Sequence, residues 1–159
     1  MPLTSPHGLW FEEFVVGDKA TSPTRTITEA DIVAFAGLSG DYNEIHTSAE
    51  FSKGNMFGQR IAHGLLGLSI ASGLAFQMSF LLGTVDVFRA IEWEFTNVIF
   101  IGDTIHIEAE VTETKAVPRL NNGKVSFKVS LLKQDGSVVQ RGVWTILVKS
   151  KPKDKPSSA

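Results

Sequence analysis

The residues best suited to chemistry lie in two short stretches, Ser39-Gly40-Asp41-Tyr42-Asn43-Glu44-Ile45-His46 and Ala62-His63-Gly64-Leu65. A carboxylate, Asp41, and an imidazole, His46, stand five residues apart among turn formers. Asn43 lies between them, where its amide is placed to hold a side chain or a water. Gly64 opens a long apolar run, and free backbone N–H groups at a helix start favour developing negative charge. Two proton-transfer groups and an anion-stabilising end are what general acid–base chemistry on a polarised carbonyl needs. Each residue also has an ordinary reading, because Asp and Asn in glycine-flanked turns bond their own backbone and a lone histidine is usually structural. Together they point to an enzyme.

Other chemistries fit less well. Asp41, Glu44, His46 and His63 supply enough ligands for zinc, but their spacing matches no zinc pattern. Gly67-Leu68-Ser69-Ile70-Ala71 half resembles a serine-hydrolase elbow, yet it lies inside a helical run. No phosphate-binding glycine motif appears, and the absence of cysteine removes thiolate and disulfide chemistry. Neither a metal nor an organic cofactor is therefore expected. A net charge of −2 gives no reason to expect nucleic acid or an anionic membrane as partner.

The elements that must position these groups can be read from periodicity. Thr28 with Asp31 reads as the cap of a helix over 29–38, ended by Gly37 and Gly40. Residues 39–47 read as a loop, and Thr47 or Ser48 caps a short helix to about Lys53. Ile61 to Val85 contains no Asp, Glu, Lys or Arg, which approaches a membrane span in length. His63, Ser69, Ser72, Gln77 and Ser79 interrupt it and no basic cluster flanks it, so a fully buried central helix over 64–81 is expected instead. Gly67 and Gly73 are expected to let that helix pack closely. Lys19 to Ile27 reads as an edge strand. Four further strands, at 91–95, 105–111, 125–131 and 143–148, alternate with period two between turns at Gly102-Asp103, Asn121-Asn122-Gly123 and Gln134-Asp135-Gly136. An α+β domain over residues 1–150 follows, with a long central helix wrapped by an antiparallel sheet and a disordered tail over 151–159. The first residues lack a signal-peptide pattern, so a cytoplasmic location is expected. A free strand edge predicts a homodimer, assembling further as a dimer or trimer of dimers or stopping there.

The two stretches resemble the signature of the MaoC-like, (R)-specific enoyl-CoA hydratases, Gly-Asp-x-Asn-Pro-aliphatic-His followed at the right distance by His-Gly. The resemblance covers roughly residues 10–149 and implies the hot-dog fold. It implies that Asp41 and His46 are the catalytic pair, with Asn43 in support. The Gly64 amide becomes the oxyanion donor to a thioester carbonyl, and Ser72 and His63 contact substrate. Water then adds to a trans-2-enoyl-CoA to give a (3R)-hydroxyacyl-CoA, or leaves in the reverse dehydration. Glu44 replaces the family proline, which is expected to loosen the loop and add a carboxylate beside the site. Lys53 and Arg60 are candidates for the CoA phosphates, and Phe76, Met78, Phe80 and residues 83–90 for pocket depth. An acyl-CoA thioesterase, a hydratase of branched or mesaconyl-type acyl-CoA, and a non-catalytic acyl-CoA binder are the alternatives.

Overall fold

Period-two alternation dominates the second half of the chain, and that half builds the sheet. The structure, a computed structural model, describes residues 7–153. Strands β3 (Val85–Phe95), β4 (Thr104–Val117), β5 (Asn122–Lys133) and β6 (Val138–Lys149) are joined by the short β1 (Lys19–Thr21) and β2 (Arg25–Thr26). The antiparallel order is β1-β4-β5-β6-β3, with β2 also on β4. Every long strand outruns its expected bounds, because backbone pairing continues past the alternating apolar core of each run. The expected edge strand over 19–27 is instead two pieces, broken at Ser22-Pro23, where proline has no N–H to donate. Asn121 takes a left-handed conformation (φ 50°) after a 3-10 turn at Pro118–Leu120, and Asn122-Gly123 already belongs to β5 rather than to the turn.

The inner face of the sheet packs on helix α4 (Gly64–Gln77) through Ile107, Val129, Trp144 and Ile146 on one side and Leu66, Ile70, Ala71 and Leu74 on the other, all buried. The helix ends four residues earlier than expected. Met78 caps it, Ser79 turns left-handed (φ 67°), and residues 78–83 form turns. It is also not buried all round: Leu65, Ser72, Gly73 and Phe76 are exposed, because one curved sheet covers only one side of it. Gly73 meets nothing, so close packing explains Gly67 but not Gly73. No helix among the described residues is long and apolar enough to cross a membrane.

Helix α1 (Glu29–Ser39) begins on the expected capping box. Thr28 N–H donates to Asp31 Oδ2 at 2.9 Å, and Asp31 N–H donates to Thr28 Oγ1 at 3.3 Å. The 39–47 segment is only partly a loop, since Glu44–Thr47 forms a helical turn, α2, followed by α3 (Ala49–Ser52) capped by Ser48. Of the expected disordered tail, Lys151 is held by Glu12 and Glu13. The readings made on residues 1–6 and 154–159 lie outside the described residues.

Candidate active site

Asp41 and Asn43 make the local turn bonds that their residue types predict, and those bonds aim the catalytic candidates. Asn43 N–H donates to Asp41 Oδ1 at 3.2 Å, and Ile45 N–H donates to Asn43 Oδ1 at 3.3 Å. Asn43 therefore caps α2, a positioning task within reach of its side chain. Anchoring Oδ1 leaves Asp41 Oδ2 directed at His46, 4.0 Å from Nε2. Glu44 is the first residue of α2 and is exposed. Proline and glutamate both suit that position, one because the N–H there has no helical partner, the other because it faces the positive helix end. The replacement thus leaves the turn formed rather than loosened.

His46 is buried and its protonation is fixed by one contact. Nδ1 lies 2.7 Å from the Ile61 carbonyl, which only accepts, so Nδ1 carries the proton and Nε2 presents a lone pair. Burial holds the imidazole below its ordinary 6.5. The stacked His63 ring adds to that, and the Ile61 carbonyl and Asp41 oppose it without reversing it. His46 is consequently neutral near pH 7. Asp41 Oδ2 and His46 Nε2 are then two acceptors 4.0 Å apart. An oxygen about 2.8 Å from both would see them at about 90°, near the angle between the two O–H bonds of water. The pair is dimensioned to hold one water by both its protons.

His63 sits behind them. Its Nε2–H donates to the Asp41 carbonyl at 2.9 Å, and its ring stacks on His46 with centroids 3.8 Å apart. Expected as a substrate contact, it is buried and touches both Asp41 and His46. Asp41, His46 and His63 offer ligand atoms within 4.8 Å of one another, a spacing that could hold a metal ion; Glu44 is outside this group.

His63 is also the N-cap residue of α4 but provides no side-chain cap, so its side chain takes none of the first-turn N–H groups of the helix. Gly64 and His46 line one open cavity of about 580 Å³, together with Ile45, Phe57, Phe95 and Gln140. A Cβ on Gly64 would lie 2.7 Å from the Phe95 ring, so only glycine lets the ring lie against that backbone. The segment leading into α4 is strapped on both sides, by Ile61 N–H to the Ile45 carbonyl (3.1 Å) and Ala62 N–H to the Ile99 carbonyl (2.8 Å).

Other expected members lie elsewhere. Ser72 donates to the Ser69 carbonyl and lines a separate apolar cavity of about 300 Å³ with Phe76, Met78, Phe80, Val85 and Phe88, because it is two turns farther along α4. Lys53 is paired with Glu50 and Arg60 with Glu29, so neither cation is free. Gln140 was not anticipated. Its only signal is a polar residue in the inward phase that Trp144, Ile146 and Val148 define on β6.

Residues 13–131 match the model of the MaoC like domain. The (R)-specific enoyl-CoA hydratase of Rhodospirillum rubrum is 34% identical over 139 residues, 87% of this chain and 91% of that protein. The match to protein MaoC of Klebsiella aerogenes, 45% identical over 69 residues, spans 43% of this chain and only 21% of that longer protein. Among solved structures, an Archaeoglobus protein described as a monoamine oxidase regulatory protein superposes with a TM-score of 0.86 at 34% identity, covering 94% of this chain and 100% of that one. A Mycobacterium tuberculosis protein described as a double hot-dog fold superposes at 0.79 with 16% identity, over 94% of this chain and 47% of that one, a likeness of fold alone. A long helix seated in a curved antiparallel sheet, an Asp/His pair before it and a family match over most of its length place this chain among the MaoC-like hot-dog proteins.

Proposed function

We propose that the chain is a hydro-lyase that adds water to a trans-2-enoyl-CoA, giving a (3R)-hydroxyacyl-CoA, or removes it in reverse. The observation that carries this reading is the Asp41–His46 pair, spaced for a single water, whose His46 shares one cavity with the uncapped start of α4. The hydratase name of the 34% identical relative supports it. In the forward direction one O–H bond of the held water breaks as its oxygen bonds C3. The π electrons move toward the thioester carbonyl, and a proton reaches C2 from the same side. One of Asp41 and His46 takes that proton from the water and passes it to C2, while the other keeps its bond to the remaining O–H. The Gly64 N–H meets the enolate-like oxygen, where its bond is stronger than in the ground state. General acid–base transfer contributes about 10²–10⁴-fold and one oxyanion donor about 10²–10³-fold. These parts suffice without a cofactor.

The working unit we propose is a homodimer. Strand β3 ends the sheet, and Val87, Phe88, Ile91 and Phe95 on it are each at least two-fifths exposed. Such an edge needs a cover.

The test is incubation with crotonyl-CoA, following loss of the conjugated enoyl thioester and resolving the product's stereochemistry. (3R)-Hydroxybutyryl-CoA is expected. Release of free CoA would replace the reading with thioester hydrolysis. Tight binding of crotonyl-CoA and of longer, branched and dicarboxylic enoyl-CoAs without turnover would favour the binding reading, which the regulatory description of the Archaeoglobus structure also suggests.

A further inference from the structure

We infer that Gln140 is a positioning residue that fixes the oxyanion donor, holding the first residue of α4 against the sheet from β6. This rests on the function proposed above and adds a residue to it. The problem it solves is physical. A glycine at the head of a helix has no side chain to pack and the largest backbone freedom, yet an oxyanion donor must be held within a fraction of an ångström. Gly64 therefore has to be held through its backbone.

Gln140 supplies that hold. It is 1% exposed, and its Nε2–H donates to the Gly64 carbonyl at 2.9 Å. Its Oε1 accepts from Trp93 Nε1–H on β3 at 3.0 Å. Trp93 thereby fixes which way the amide faces, so that its donor end and not its acceptor end meets the carbonyl. The chain Trp93–Gln140–Gly64 links β3, β6 and α4 in one line of bonds. The helix is shaped to receive it. A Cβ on Gly67 would lie 2.4 Å from Gln140 Nε2 and 2.9 Å from the Ile99 side chain. Gly64 and Gly67 are three residues apart and so share a helix face. Two glycines on one face make a slot, closed by the Gln140 amide at one end and by the Phe95 ring at the other. A buried glutamine is costly to place unless both ends of its amide are bonded, and here both are.

The experiment uses the full chain. Gln140→Leu keeps the volume and removes both bonds; Trp93→Phe removes only the bond that orients the amide. With crotonyl-CoA, Gln140→Leu is expected to lower kcat by about tenfold or more, part of the worth of one oxyanion donor. KM should stay within about threefold, the pattern of an interaction made in the transition state. Trp93→Phe should lower kcat less. The double variant should be no slower than Gln140→Leu within about twofold, because both act through one line of bonds. In the free protein, labelled with ¹⁵N, both variants should displace the Gly64 amide resonance. That last arm needs no turnover, so it separates failure of this inference from failure of the functional reading, which wild-type inactivity would show. Unchanged kcat in Gln140→Leu, effects that multiply in the double variant, or a Gly64 amide that does not move would each overturn the role. If Gln140→Leu does not fold, Trp93→Phe with an unmoved Gly64 amide and wild-type kcat overturns it as well.

Discussion

In the proposed reaction Asp41 and His46 divide one water between them, because the turn takes one oxygen of Asp41 and the Ile61 carbonyl takes one nitrogen of His46. What remains is one acceptor on each, facing the other. Asp41→Asn and His46→Gln should each lose at least about a hundredfold in kcat/KM, with the thermal midpoint nearly unchanged for Asp41→Asn, since that side chain is half-exposed. Near-wild-type turnover in either variant would remove the residue from the mechanism. The protonation of His46 makes a second demand. Burial, followed by His63, holds its folded-state value below 6.5, and the neutral form is the one with a free Nε2. Activity should therefore rise with pH through an apparent value below 6.5 and be flat from there to about pH 8, in a profile of kcat/KM against crotonyl-CoA. An acid limb centred above 6.5 would contradict the assignment. Stability carries the same sign: the unfolded chain binds this proton more readily, so the contribution of neutral His46 is present above 6.5 and is lost as pH falls below it. At this scale the sequence is most legible where residues are close in the chain. Asp41, His46 and Gly64 fall where their types and spacing point. Gln140 does not, because its partners, Trp93 and Gly64, are 47 and 76 residues away.

Elements turn those residues toward one another. Helix α2 is a single turn, too short to show a helical period, which is why 39–47 reads as a loop; yet it carries His46 into the core. Its stability depends on the Asn43 cap and on Thr47, whose hydroxyl donates to the Tyr42 and Asn43 carbonyls. Asn43→Ala should cost about 1 kcal/mol, the usual worth of a cap. It should also lower kcat/KM several-fold, since His46 lies three residues beyond the cap. Denaturant unfolding and steady-state kinetics on the same preparation check both. A stability loss with activity intact would mean that packing alone, through the His46–His63 stack, holds the imidazole. The C-terminal end of α4 escapes the sequence pattern for a different reason. Apolar composition continues to Leu82, so nothing in the pattern announces the left-handed Ser79 that ends the helix.

The whole molecule keeps an imbalance that its parts do not explain. Strands β4, β5 and β6 each bury one face as their alternation predicts, but β3 is exposed on nearly every residue from Val85 to Phe95. It is an 11-residue edge with its outer backbone row unpaired within the sheet order, beside a helix whose Leu65 and Phe76 are also exposed. The other edge is different in kind. There β1 and β2 are short, interrupted and mostly polar, which is how an edge discourages pairing. Two copies meeting β3 to β3 would continue the sheet, cover the apolar residues and close on a twofold axis, leaving no edge to propagate. The same junction would bring a second chain near Phe95, and so near the cavity that holds Gly64 and His46. Light scattering behind size exclusion should therefore give twice the 17.3 kDa chain mass. Ile91→Lys, which places a charge mid-edge, should shift the particle toward one chain mass and reduce activity together with assembly. A monomeric wild type with full turnover would show that one chain completes the site alone, and that β3 is covered by something other than its own copy.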